Sequence, residues 1–311
     1  MRTEAASGWR ADVAAIGSTV HANSQTVVLG MIGFALRGGI IFLIVPIVIL
    51  PTSVEVRLLL GSGLGTSGLT SDFYIAAGIF SMVTLGLALI ILYVLARCEI
   101  GLYARFVNSA HPNASHVWTP PGQLDDEDRS LLTSRMFVVE TATLIVILLA
   151  AVPLAVAIAQ STYEEIVLPS SADSLYVRIF NDVLLPAVVF LLSIVVIEAV
   201  SAVVTRRLLA SAYQLKAHNR LVRRPLRVIG VAISGWMLFI GAVGISFVVL
   251  GAMWQVVESV FLSSGLSGDV RDLMSAVVVA LLFGLLFSAC LFLCGLVSTI
   301  RSGLWTFASL R

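Results

Sequence analysis

Six long apolar runs fix what this chain can become. They are Val27 to Leu50, Phe73 to Ala96, Phe137 to Ala159, Val183 to Thr205, Val228 to Trp254 and Leu273 to Thr299. A hydrocarbon layer about 30 Å thick is crossed by roughly 20 residues of α-helix, and each run meets that length. Inside lipid, backbone amides have no water to bond, so each run must satisfy them within itself, as a helix does. A β-barrel would need alternating segments of about ten residues, and these runs do not alternate. The expected fold is an all-α membrane protein with six transmembrane helices. Composition agrees, because only 12% of the residues are charged, against about 25% in a soluble domain.

Residues 1–26 are mixed and polar, and they read as a cytoplasmic amphipathic segment. They are not read as a cleavable signal peptide, since the run that follows is too long for one. Residues 27–305 are expected to form a single six-helix membrane domain. Basic residues in short loops set sidedness. The stretch from Arg206 to Arg227 holds Arg206, Arg207, Lys216, Arg220, Arg223, Arg224 and Arg227 and has no acid. It belongs inside. The loops after the first, third and fifth runs are acidic or neutral and belong outside. Both termini are then cytoplasmic, in a multi-pass protein of the cell membrane.

Those outer loops resemble one another: Leu60-Gly61-Ser62-Gly63-Leu64, Leu168-Pro169-Ser170-Ser171-Ala172 and Leu262-Ser263-Ser264-Gly265-Leu266. Between the second and third, one constant offset aligns Glu164 with Glu258, Thr205 with Thr299 and Arg207 with Arg301. The reading is three sequential helical hairpins, about 27–96, 137–205 and 228–299, arranged as parallel internal repeats. Short amphipathic helices are expected along the cytoplasmic face before each hairpin. In the first, Trp9, Val13, Ile16, Gly17 and Val20 make the apolar face, with Arg10, Asp12 and Thr19 elsewhere. Asp125 to Arg135 starts acidic and ends basic, as a helix dipole prefers, and Pro225 is suited to open the fifth helix.

Charges within spans are the strongest functional pointers in such a sequence. Arg37 lies in the first run, Glu140 in the third and Glu198 in the fourth, with Arg97 and Glu99 at the inner end of the second. These five form the candidate intramembrane charge network. Glu198 stands ~12 Å from the inner end of its helix and Arg37 ~9 Å deep, so Arg37 is expected to pair with Glu198 or Glu140. The plain alternative is that these charges fix packing, or that Arg37 reaches back to the headgroups. Ser81, Thr84, Thr141, Thr143, Ser193, Ser201 and Ser234 are candidates to line a polar vestibule. Gly38-Gly39, directly after Arg37, invites an unwound turn.

Chemistry beyond this is thin. Cys290 and Cys294 share a helix face in an apolar run and read as core packing. His111 and His116 lack a third ligand, so no metal and no cofactor are expected. Nucleotide loops, zinc-protease and nucleophile-elbow patterns are absent from the sequence, and no enzyme is expected. Net charge of +1 argues against nucleic acid. The expected partners are the bilayer, anionic lipid headgroups through the basic loop, and a membrane-protein partner or a second copy. Two function classes remain: a small-solute permease or membrane component of a transport system, and a non-transporting scaffold or accessory subunit.

Overall fold

A computed structural model describes residues 2–47, 64–65, 68–69, 71–110, 126–167, 177, 179–213, 225–267 and 270–310. His111, His116, Asp125, Lys216, Arg220, Arg223 and Arg224 lie outside the described residues, as do most of the first two outer loops. The described chain runs through α1 (Arg2–Ala22), α2 (Gln25–Phe34), a wide π turn (Ala35–Gly39) and α3 (Ile40–Ile44). Two two-residue strands follow, β1 (Leu64–Gly65) and β2 (Gly68–Leu69), paired antiparallel. Then come α4 (Ser71–Ala110), α5 (Asp126–Val167), a second π turn (Ile179–Val183), α6 (Leu184–Ala212), α7 (Pro225–Ser267) and α8 (Val270–Leu310).

Six stretches are long and apolar enough to cross a membrane: Gln25–Ile44, Gly78–Ser109, Glu127–Ser161, Phe180–Ala212, Pro225–Leu262 and Met274–Leu310. They fit a polytopic membrane protein of all-α class. Five helices outrun their apolar stretches, four of them by far. With 40 to 43 residues, α4, α5, α7 and α8 are each about 60 Å long, twice the hydrocarbon core. The expected amphipathic segment before the third run is therefore the first turns of α5 itself. Likewise Arg206 and Arg207 belong to α6, and Arg227 to α7, whose first residue is Pro225.

The chain divides into two units. The first comprises Met1–Val48, Val94–Met136 and Ala202–Arg311; the second comprises Ile49–Tyr93 and Phe137–Ser201. In the first unit, α7 and α8 pack as a hairpin, and α2 lies against α8. Small residues let those backbones meet. A Cβ at Gly30 would run into the Thr299 hydroxyl and the Gly295 carbonyl, and one at Gly295 would run into Met31. Phe34, Leu43, Ala242, Leu250, Cys290, Cys294 and Val297 form one apolar cluster there, with Ser246 Oγ 3.6 Å from Cys294 Sγ. The two cysteines are core residues. A further cluster joins Ala96, Tyr103 and Val107 of α4, Leu132 and Met136 of α5, Leu209 and Ala210 of α6, Tyr213 and Leu310.

The buried face of α1 is rotated from expectation. It buries Asp12, Ile16 and Thr19, while Val13 is exposed. Specific polar bonds outweigh the apolar pattern here: Arg227 donates to Asp12 at 2.9 Å, and Thr19 bonds Ser109 at 2.5 Å.

In the second unit, α5 and α6 meet through Thr143 Oγ1 and Ser201 Oγ, 2.9 Å apart. The most apolar stretches of the third and fourth spans bury none of their residues within the protein. Lipid is the environment such helices call for.

Candidate functional site

The first span is broken at its charge. Gly38 has φ 81° and ψ 6°, a left-handed conformation that a Cβ would strain, and Arg37 before it has ψ 15°. Gly39 is also required, because a Cβ there would strike the ring and carbonyl of Phe34. The two glycines let the chain make a wide turn without leaving the helix axis for long. Such π turns recur at functional sites.

Beside this break sits a shared carboxylate. Glu99 of α4 receives Nη2 of Arg206 at 2.5 Å and the Ser302 hydroxyl at 3.1 Å, both on Oε1. Its other oxygen, Oε2, faces Arg37 Nη2 at 3.4 Å. Arg206 Nη2 also lies 2.9 Å from Ser302 Oγ and 3.2 Å from its carbonyl. The Arg206 guanidinium stands over the Tyr103 ring, 5.5 Å from its centroid. Four helical segments thus meet on one acid. Glu99, Arg206 and Ser302 each fall within a turn of the end of an apolar run, so the cluster lies where the runs stop.

Arg37 reaches the cluster from further along its helix. Gln25 accepts a bond from Arg105 at 2.8 Å, and Leu29 touches Gly101. Counted from that contact, Arg37 is about 9 Å further along its helix than Glu99 is along α4. A long arginine covers that gap by leaning back along the helix.

Burial separates the two arginines. The Arg206 side chain is 3% exposed and Glu99 8%, whereas Arg37 is 46% exposed. Breaking a buried pair by removing one partner costs about 3–5 kcal/mol. The Arg206–Glu99 pair is therefore fixed, and the Arg37 contact is longer and less enclosed by protein.

The other candidates are placed as follows. The ion pair shown for Arg37 is with Glu99; Glu140 and Glu198, the expected partners, belong to the second unit. Both are half-buried. Glu140 is three residues before Thr143, and Glu198 three before Ser201. Residues so spaced share a helix side. On antiparallel helices the two carboxyls therefore flank the Thr143–Ser201 bond, one turn to either side. Over 78–93, 137–161 and 184–201 they are the only charged residues. Arg97 and Arg207 are exposed. Thr141, Thr143, Ser193 and Ser234 bond the carbonyls of Phe137, Val139, Val189 and Gly230 on their own helices at 2.7 to 2.8 Å. Among the described residues, no group of three His, Cys, Asp or Glu is placed to hold a metal.

Sequence reasoning missed Ser302 and Tyr103, and it ranked Arg206 as a loop base. The available signal was position: Glu99, Arg206 and Ser302 each follow the last residues of an apolar run. Arg301, beside Ser302, stacks over Trp236 and Phe239 at 4.9 and 5.6 Å. No family model, no curated protein and no solved structure matches the chain.

Proposed function

We propose that this protein is a small-solute permease, or the membrane component of a transport system, with both termini in the cytoplasm. The observation that carries the reading is the broken first span beside a shared, buried carboxylate at the end of the apolar runs. Interrupted membrane helices next to charges are where transporters build their sites and hinges. Arg206 holds one oxygen of Glu99 closely, and Arg37 reaches the other at 3.4 Å. A solute carboxylate or phosphate would compete with Glu99 for Arg37, whose contact with Glu99 is the longer of the two. The substrate class is then a small organic or inorganic anion. Glu140 and Glu198, flanking a hydroxyl pair, supply the acids that a proton-coupled step would use.

The test is uptake by sealed proteoliposomes across a panel of small anions, neutral solutes and cations. Anion uptake is expected, and Arg37→Gln should lower it at least tenfold while the protein elutes and melts as the parent does. Uptake of no anion, or uptake equal in Arg37→Gln, overturns the reading. A second reading, a scaffold or accessory subunit, is favoured by one observation: the most apolar stretches of the third and fourth spans contain no fully buried residue. Under it, a second copy or a membrane-protein partner would co-purify in mild detergent and no solute would be moved.

A further inference from the structure

Arg97, Arg135 and Arg207 lie on α4, α5 and α6, and all three are exposed. They stand around one packed contact. Ala96, Met136 and Leu209 are buried together in a single cluster; Arg97 follows the first, Arg135 precedes the second, and Arg207 is two residues from the third. Three helices thus present guanidinium groups within a turn of a shared core layer. Among the described residues, no hydrogen bond or ion pair engages any of the three. Within one turn of each along its helix, the only acid is Glu99, which is buried and already holds Arg206 and Arg37.

Depth gives this arrangement its meaning. Arg97 directly follows an apolar run, Arg135 is two residues before one, and Arg207 is two residues after one. That is the level at which lipid phosphates lie, just beyond the hydrocarbon. The planar fork of arginine matches a phosphate with two parallel hydrogen bonds, and basic clusters at this depth attract anionic leaflets. Val204, one turn from Arg207 on the apolar side, is exposed and available to an acyl chain. We propose that Arg97, Arg135 and Arg207 together bind the phosphate-bearing headgroup of an anionic phospholipid. The inference rests on membrane embedding alone and is independent of whether a solute is moved.

The experiment is native mass spectrometry of the full chain released from bilayer discs of equal phosphatidylglycerol and phosphatidylcholine. The parent protein should retain the anionic lipid at least fivefold over the zwitterionic one. The triple variant Arg97→Gln, Arg135→Gln, Arg207→Gln should bring that ratio close to one. A charge-matched triple variant in the loops expected outside, Arg57→Gln, Arg178→Gln, Arg271→Gln, should keep the parent ratio. Equal loss in both variants, or no loss in the first, overturns the proposal. So does full displacement of the lipid by inorganic phosphate in the wash, which would mark a soluble-anion site. If the first triple fails to fold, the three single variants replace it, each lowering the ratio about twofold. Unchanged ratios in all three singles also overturn it.

Discussion

In the first unit Glu99 lies between Arg206 and Arg37, with Ser302 bonding the same oxygen. In the second, Glu140 and Glu198 sit in membrane stretches that contain no base at all. The difference teaches what each set of charges is for. A carboxylate clasped by a buried arginine is a structural fixture, since removing either partner strands the other in a dry core. Under the proposed permease, the carboxyls beside hydroxyls in the second unit would be the groups that handle protons or solutes. Stability and function should therefore respond in opposite ways in the two units.

The largest effect is expected at the clasped acid. Glu99→Gln should destabilise the detergent-solubilised protein by about 3–5 kcal/mol in chemical unfolding, more than Glu140→Gln or Glu198→Gln, whose carboxyls are only half-buried. A large loss at Glu140 would erase the contrast. Next comes the close helix contact of the first unit: Gly30→Val forces a side chain into Thr299 and Gly295, at a cost of about 1–3 kcal/mol. Gly38→Ala should cost about 1–2 kcal/mol through its positive φ alone, and a stabilised variant would mean that the break relaxes to an ordinary helix. The smallest change is at the seam of the second unit, where Thr143→Val removes the bond to Ser201. About 0.6 kcal/mol is expected, the usual worth of such a bond in a bilayer. An effect of several kcal/mol there would make the seam structural.

Much of the architecture could be read from the chain because lipid demands long apolar helices, and the six runs recur as six membrane-length stretches. Their ends were less legible. Hydropathy falls at Ala96 and Thr205, yet α4 continues to Ala110 and α6 to Ala212, since helix propensity and the packing of Tyr103, Val107 and Leu209 persist beyond the bilayer. For the same reason Arg206 and Arg227 were taken for loop bases. The contact of Arg37 with Glu99 was not foreseen because depth was counted to its Cα on a straight helix, whereas the turn at Gly38 and the length of the side chain bring the guanidinium to Glu99. On α1, apolar periodicity favoured Val13, but Asp12 and Thr19 are held inward by Arg227 and Ser109. The aligned pairs of the second and third hairpins also hide different environments: Arg207 is exposed, while Arg301 is stacked on aromatic rings.

A pair of double-mutant cycles on Glu99, one with Arg206 and one with Arg37, probes the shared carboxylate most directly. Using Glu99→Gln, Arg206→Gln and Arg37→Gln in chemical unfolding, the coupling of Glu99 to Arg206 should be several kcal/mol, and that of Glu99 to Arg37 smaller, because its contact is longer and less enclosed by protein. Equal couplings, or a stronger one to Arg37, would contradict a fixed buried clasp with a looser outer arm.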